Sequence, residues 1–473
     1  MSAALADLAA DFEELRFVAR SAESELTDAE SELERASLGG ETHRLLTSQL
    51  ASSRRRYRAI GERLRTLRAR AAGPDAPSLI SELAAEKASA AELLRVEQAL
   101  TAALVAAADW QSPSFLHSIA PRAGRQHGRI RAHRNDYKRD RHLDAEAYER
   151  RYLEELVDGP PGLRALLTTC GMAAFTTVLA CFQLDGELDG PVVAGAGLYH
   201  ETRLLLERAL PSRLHVVDEA DTGALLRAID EVSPCAVFLD SLSNTKWMPM
   251  PEFPPVLERL AGSRTYLVVD NTGLSVSCQP FAAADESVRL IVFESLLKYA
   301  QLGLDRANAG VIVARSSDAT RLASYREHLG TNVADVAVHA LPRPHRGVLA
   351  RRLQRLERNA LLLAERLRDG AGEAIEVVYP GRGGCLSVVF RRPEPQLRRE
   401  RALLERAVAE AGRRGVALLG GSSFGFDTTR IYLTAEGAEC GDPFVRIAVG
   451  TEHRLEVERV ATALVAAVRK VAA

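Results

Sequence analysis

Apolar residues recur every three or four positions at the start of the chain, as at Leu5, Leu8, Phe12 and Leu15, against a background of Ala, Glu and Arg. That spacing lays one apolar stripe along a helix, so residues 1–109 are predicted to form an α-helical region. Gly39-Gly40 and Gly73-Pro-Asp-Ala-Pro77 interrupt the pattern and divide it into two or three antiparallel helices. From Trp110 to His142 the periodicity is lost among Pro113, Pro121, Gly124 and Gly128, which reads as a linker arm able to wrap over a partner surface. Helical spacing returns over 145–157, and Gly159-Pro-Pro-Gly162 ends it.

Between about 165 and 315 the pattern changes to short β-branched runs alternating with amphipathic segments. The runs are Pro191-Val-Val-Ala194, Leu214-His-Val-Val217, Ala236-Val-Phe-Leu239, Tyr266-Leu-Val-Val269, Leu290-Ile-Val-Phe293 and Val311-Ile-Val313. Such alternation predicts crossover units and a mainly parallel sheet covered on both faces. A helix-rich stretch from Asp318 to about Asp369 leads to Ile375-Glu-Val-Val378, Leu386-Ser-Val-Val389, Arg430-Ile-Tyr-Leu433 and Val445-Arg-Ile-Ala-Val449, with a helix from Glu400 to Arg414 between them. The expected organisation is α/β: a helical extension over 1–109, an arm and helix over 110–160, a large sheet domain over 161–330 and a smaller α+β domain over 331–473.

At 473 residues the chain has room for two or three domains, and a formal net charge of −2 argues against a general nucleic-acid binder. The Arg-dense stretch from Arg54 to Arg70 is interleaved with Leu64 and Leu67, so it reads as a solvated or subunit-facing helix surface. Six scattered cysteines without a C-x-x-C pair indicate neither a zinc ribbon nor a disulfide framework, and no metal site is expected. The amino terminus lacks a signal pattern and no apolar run reaches membrane length. A cytoplasmic protein is expected, with neither membrane nor nucleic acid as partner.

Lysine occurs only at Lys87, Lys138, Lys246, Lys298 and Lys470, while arginine supplies nearly all other positive charge. A chain that uses Arg wherever charge suffices leaves Lys where a deprotonatable amine has a use. Lys298 follows the buried-strand run that ends at Phe293, so its amine falls just past a strand's carboxyl end, where ligands gather in open α/β sheets. A lysine there is either an ordinary strand-end residue or a desolvated nucleophile toward carbonyls. Asp270 ends another such run 28 residues earlier, one crossover unit away. The chain holds no Gly-Lys dipeptide, hence no phosphate-loop lysine, and the carboxylate wants a different cation. A protonated pyridine nitrogen about 3 Å away would be held by roughly 5 kcal/mol at an effective dielectric near 20, before desolvation. Thr168-Thr-Cys-Gly-Met-Ala-Ala174 opens an apolar helix whose free amides suit a phosphate, although any helix start looks similar.

The ordered set Tyr137-x-Arg139, Thr169-Cys-Gly-Met-Ala-Ala174, Tyr199-x-x-Thr202, Asp240-Ser-Leu-Ser-Asn244, Asp270-Asn-Thr272, Ser295-x-x-Lys298-Tyr299 and Val445-Arg-x-x-Val-Gly-x-Glu452 resembles the Cys/Met-metabolism family of fold-type I pyridoxal-phosphate enzymes. That family includes the cystathionine synthases and lyases and methionine γ-lyase. The resemblance runs from about 135 to the carboxyl terminus and implies pyridoxal 5'-phosphate as cofactor. It implies that Lys298 carries the cofactor as a Schiff base and moves protons, that Asp270 holds its ring nitrogen and that Tyr199 stacks on the ring. Gly171, Met172 and Ser295 would bind its phosphate, and Asn244 would lie near its phenolic oxygen. Tyr137 and Arg139 would reach the phosphate from a neighbouring subunit, giving a homodimer or homotetramer with shared sites. Arg446 would grip the α-carboxylate of a small amino-acid substrate.

The departures are equally specific. Leu297 replaces a hydroxyl residue, Leu302-Gly-Leu-Asp305 stands where Gly-His-Ser-Asp is usual, and His200-Glu201 replaces two small residues. Leu418-Leu-Gly420 lacks the serine of a Ser-Leu-Gly turn, and the helical extension has no counterpart in compact members. Glu201 either serves as an additional acid or base or only favours the helix start. The implied activity is elimination or replacement at the γ-carbon, of which alkyne formation from a γ-chlorinated unsaturated amino acid would be a specialised case. Alternatives are β-elimination and a non-catalytic scaffold. Gly421-Ser-Ser-Phe-Gly425 matches a hydrolase nucleophile elbow, but an elbow leads into a helix and Thr428-Thr-Arg-Ile-Tyr-Leu433 reads as a strand.

Overall fold

The computed structural model describes residues 2–35, 40–108, 143–392, 397–434 and 444–472. Three long helices come first: α1 (Ser2–Arg35), α2 (Gly40–Ala71) and α3 (Ile80–Ala108). In α1 and α2 a row of buried positions follows an alternation of threes and fours. In α1 the row is Leu8, Phe12, Leu15, Ala19, Ala22, Leu26, Ala29 and Leu33, with Asp7, Asp11 and Val18 buried beside it; in α2 it is Leu46, Leu50, Ser53, Tyr57, Ile60, Leu64, Leu67 and Ala71. This is a heptad seam, the pattern that packs helices side by side as a coiled coil. Arginines of the 54–70 stretch pair at the bundle surface with carboxylates of the neighbouring helices. Arg54 pairs with Glu30, Arg58 with Glu23 and Arg68 with Glu13 on antiparallel α1, while Arg56 reaches Glu97 and Arg63 reaches Glu86 on α3. Exposed pairs of this kind add little stability each, and here they fix the register.

The bundle is not a separate globule. Its buried residues belong to the same apolar cluster as Val338, Leu341, Leu349 and Leu353 of the main body. Helix α4 (Leu143–Leu156) then lies against the large sheet.

That sheet has seven strands in the order β1-β7-β6-β5-β4-β2-β3. They are β1 (Leu163–Thr168), β2 (Val192–Gly195), β3 (Leu214–Val217), β4 (Ala236–Asp240), β5 (Tyr266–Asp270), β6 (Arg289–Ser295) and β7 (Gly310–Arg315). All are parallel except β7, which runs against both β1 and β6. Fully buried runs such as Val237-Phe-Leu239 and Leu267-Val-Val269 suit a sheet covered on both faces. β1 escaped the pattern reading, because Leu163-Arg-Ala-Leu-Leu-Thr168 carries no β-branched residue before its last position. Parallel topology brings Thr168, Gly195, Asp240, Asp270 and Ser295 to one edge.

A second sheet, ordered β10-β11-β12-β9-β8, is built from β8 (Ile375–Val378), β9 (Cys385–Phe390), β10 (Leu419–Gly420), β11 (Arg430–Thr434) and β12 (Phe444–Ala448). The helix Arg346–Ala371 joins the two halves. Its Leu349, Leu353 and Leu356 enter the first core, whereas Ala360, Leu363 and Leu367 enter the second. No described helix is long and apolar enough to cross a membrane.

Candidate active site

Along the carboxyl edge of the large sheet, β4 and β5 end side by side in carboxylates, with Asp240 and Asp270 in register. Asp270 accepts from the Thr272 amide at 2.9 Å. Asp240 accepts from the Tyr199 amide at 2.8 Å, and its second oxygen is buried without a partner among the described residues. Burial, then the neighbouring Asp270 charge, holds Asp240 well above the usual carboxylate range. Burial also raises Asp270, but the Thr272 hydrogen bonds and Lys298 oppose it, so Asp270 is raised less than Asp240.

Lys298 lies just past β6, with its Nζ 2.7 Å from the Ser423 hydroxyl and 5.1 Å from the centre of the Phe424 ring. Burial lowers its proton affinity, against the opposing pull of Cys385, Asp270 and Asp305. Ser423 belongs to the Gly421–Gly425 segment that resembled an elbow. It precedes strand β11, and the hydroxyl serves the lysine.

The helix Gly171–Leu184 points its amino end at the same edge. Its Ala173 amide is taken by the Cys170 sulfur and its Ala174 amide by the Cys170 carbonyl, leaving Gly171 and Met172 as the first-turn donors. A Cβ on Gly171 would come within 2.7 Å of the Ser295 Cβ, so this glycine is what lets the helix start approach that hydroxyl. Tyr199 is 39% exposed at the mouth of the site. Burial of its hydroxyl and the adjacent Glu201 carboxylate, which accepts from it, both raise its pKa. Tyr199 is the N-cap of the helix His200–Ala209 without making a side-chain cap, and Glu201 leans toward the tyrosine from the first turn.

Arg446 on β12 is half-buried and binds the Asn244 side chain at 2.5 Å and the Asn244 carbonyl at 2.9 Å. Its Nε has no partner among the described residues. Burial lowers its pKa, and the nearby Cys385 acts electrostatically on both Arg446 and Lys298. The edge of β6 holds a further acid: Glu294 accepts from Tyr152 at 2.8 Å and from Ser275 at 2.7 Å. Burial pushes its carboxyl up to about 7.

The structure therefore brings together Lys298, Asp270, Tyr199, Glu201, Gly171, Met172, Ser295, Asn244 and Arg446. Tyr137 and Arg139 lie outside the described residues. Asn244 faces Arg446 directly, so within this chain it orients the arginine. Sequence reasoning gave no role to Asp240, Glu294, Ser423 or Cys385. Asp240 ends a buried apolar run just as Asp270 does, and that signal could have found it.

A pyridine-containing phosphate fits these groups. Asp270 at a strand end with the Thr272 amide as its donor, the helix start pressed on Ser295 and the deprotonatable amine each match one part of such a molecule.

Residues 95–386 match the model of the family described as Cys/Met metabolism PLP-dependent enzyme. A curated relative, the bifunctional enzyme flvA of Aspergillus flavus, is 27% identical over 354 residues; the match covers 71% of this chain but 43% of the relative's length. Among solved structures, cystathionine γ-synthase from Xanthomonas oryzae pv. oryzae superposes with a TM-score of 0.57 at 22% identity, covering 71% of this chain and 88% of that one. Cystathionine γ-lyase from Lactobacillus plantarum gives 0.57 at 18% identity, covering 71% and 89%. The methionine γ-lyase CalE6 from Micromonospora echinospora gives 0.57 at 22% identity, covering 70% and 89%.

Proposed function

Because the chain belongs to the Cys/Met metabolism PLP-dependent enzymes, we propose that it catalyses elimination or replacement at the γ-carbon of a small amino acid carrying a γ-leaving group. The observation that carries this reading is the Tyr199–Glu201 pair, set on the same acid edge as Lys298. Reaction at Cγ needs proton transfers at Cα and Cβ and at the departing group, more than one amine serves easily. Reaction at Cβ needs fewer.

Each residue then has a task. Lys298, desolvated and held by Ser423, would bear the cofactor and move the Cα proton. Asp270 would hold the ring nitrogen, Tyr199 would cover the ring, and the Gly171 and Met172 amides with Ser295 would bind the phosphate. Bound there, pyridoxal phosphate supplies an electron sink conjugated to the amino-acid Cα. Arg446, pinned by Asn244 with Nε to spare, would clamp the α-carboxylate. Glu201, through or beside Tyr199, would give or take a proton nearer Cγ. The arm carrying Tyr137 and Arg139 would complete the phosphate site of a neighbouring subunit in a homodimer or homotetramer.

Cofactor-loaded protein incubated with O-acetylhomoserine should release acetate, ammonia and 2-oxobutanoate, or a replacement product when a thiol is added. It should do so faster than it makes pyruvate from O-acetylserine. Pyruvate from the β-substrate alone would establish β-elimination, and no turnover of either by a colourless protein would favour a scaffold. A γ-chlorinated unsaturated amino acid belongs in the same screen.

A further inference from the structure

The N-terminal bundle reaches the two loops that flank the reactive lysine, and it does so with charged side chains. Glu14 of α1 meets the Arg352 guanidinium at 2.5 Å, and that guanidinium donates to Asp427 at 2.7 Å and to the Gly425 carbonyl at 2.9 Å. The Arg352 side chain is wholly buried. Although burial opposes it, Arg352 and Lys87 pull the Asp427 carboxyl down to about 2. Gly425 sits two residues after Ser423, the partner of the Lys298 amine. At φ 89°, a Cβ on it would come within 2.8 Å of the Lys298 carbonyl carbon, so the two backbones are in contact.

On the other flank Arg95 of α3 donates to the Leu304 carbonyl at 3.1 Å and the Gly303 carbonyl at 3.3 Å. This turn begins three residues after Lys298. Leu302 and Asp305 both adopt φ 51° in it, a conformation that side-chain-bearing residues keep only where the surroundings hold them.

We propose that the helical extension braces the active site: Glu14, acting through Arg352, and Arg95 are positioning residues that hold the 421–427 loop and the 301–305 turn, and with them the Lys298 amine. The inference rests on Lys298 being the cofactor-bearing residue. Neither Glu14 nor Arg95 touches a reacting atom. Asp7 provides an internal control, because it ties α1 to Arg355 and Arg358 on the same helix as Arg352 but reaches neither loop.

Full-length, cofactor-loaded Glu14→Gln and Asp7→Asn are compared by hydrogen–deuterium exchange and by kinetics. Glu14→Gln should speed exchange of the 421–427 amides about tenfold. It should lower kcat by about 10- to 100-fold while KM for the amino acid stays within about threefold. Asp7→Asn should lower the melting temperature and leave both readouts unchanged. Equal responses in the two variants, or none in Glu14→Gln, overturn the brace. If Glu14→Gln does not fold, Arg95→Gln should show the same fall in kcat with faster exchange at 301–305, and no change there is equally fatal. Faster exchange with unchanged kcat also overturns it; Lys298→Ala then locates the fault, since retained activity in that variant condemns the lysine assignment instead.

Discussion

Two charge clusters of this fold are built on opposite plans. Where the bundle meets the main body, four carboxylates (Asp7, Asp11, Glu14 and Asp427) interlock with four cations (Lys87, Arg352, Arg355 and Arg358). At the strand ends, Asp240, Asp270 and Glu294 are held largely by neutral donors: the Tyr199 and Thr272 amides and the Ser275 and Tyr152 hydroxyls. The cation that offsets Asp270 is Lys298, whose own charge burial disfavours. A balanced cluster holds elements together, and an unbalanced one is a site prepared for a cation. The protonated ring nitrogen of pyridoxal phosphate would be such a cation.

The comparison breaks most visibly at one carboxylate in each cluster. Asp270→Asn should cost about 10²–10³-fold in kcat, since it removes a preorganised charge from the reacting system. Unfolding of the cofactor-free protein in urea should show little loss of stability, because the neutral side chain is spared the desolvation cost that burial imposes on the carboxylate. Asp427→Asn should instead lower stability by about 3–5 kcal/mol, because it leaves Arg352 buried with one partner fewer. If Asp270→Asn is the more destabilising of the two, the distinction between the clusters fails.

Glu294 sharpens the comparison with a smaller effect. Its carboxyl titrates near 7 in the folded protein against 4.5 when exposed, with burial as the main cause. A raised acid pKa means that the folded state binds the proton more tightly, so the contribution is complete below about pH 4.5 and is lost as pH rises through 7. Glu294→Gln should remove about 1–3 kcal/mol of that decline. Unfolding titrations at pH 5 and pH 7.5 measure it, and an unchanged decline would mean that the carboxyl is not perturbed in this way.

Much of this architecture was legible in the sequence because its signals are local. Buried parallel strands announced themselves as β-branched runs, and Asp270 and Lys298 could be placed at strand ends from position alone. The fold class and the added helical region followed, and the cofactor followed from the resemblance carried by the ordered motifs. What stayed hidden depends on contacts across hundreds of residues. Nothing local to Glu14 says that it meets Arg352, 338 positions away, and nothing in Gly421–Gly425 distinguishes a serine that serves Lys298 from an elbow serine. The helical spacing of α1 was readable at Leu8, Phe12 and Leu15, whereas Leu5 is only half-buried and lies off the seam, and the docking of the bundle on the main body is a tertiary fact. Asn244 illustrates the same limit: its motif suggested a place near the ring, and its side chain is engaged by Arg446 on the other sheet.

The central claim is that the unbalanced edge holds pyridoxal phosphate on Lys298. Reducing the loaded protein with borohydride fixes the cofactor to whichever amine carries it, and peptide mass mapping then identifies that residue. The account predicts one pyridoxyl group per chain, on the peptide containing Lys298, and none in the Lys298→Ala variant. A label on Lys246, or no label on a protein that still turns over its substrate, would contradict it.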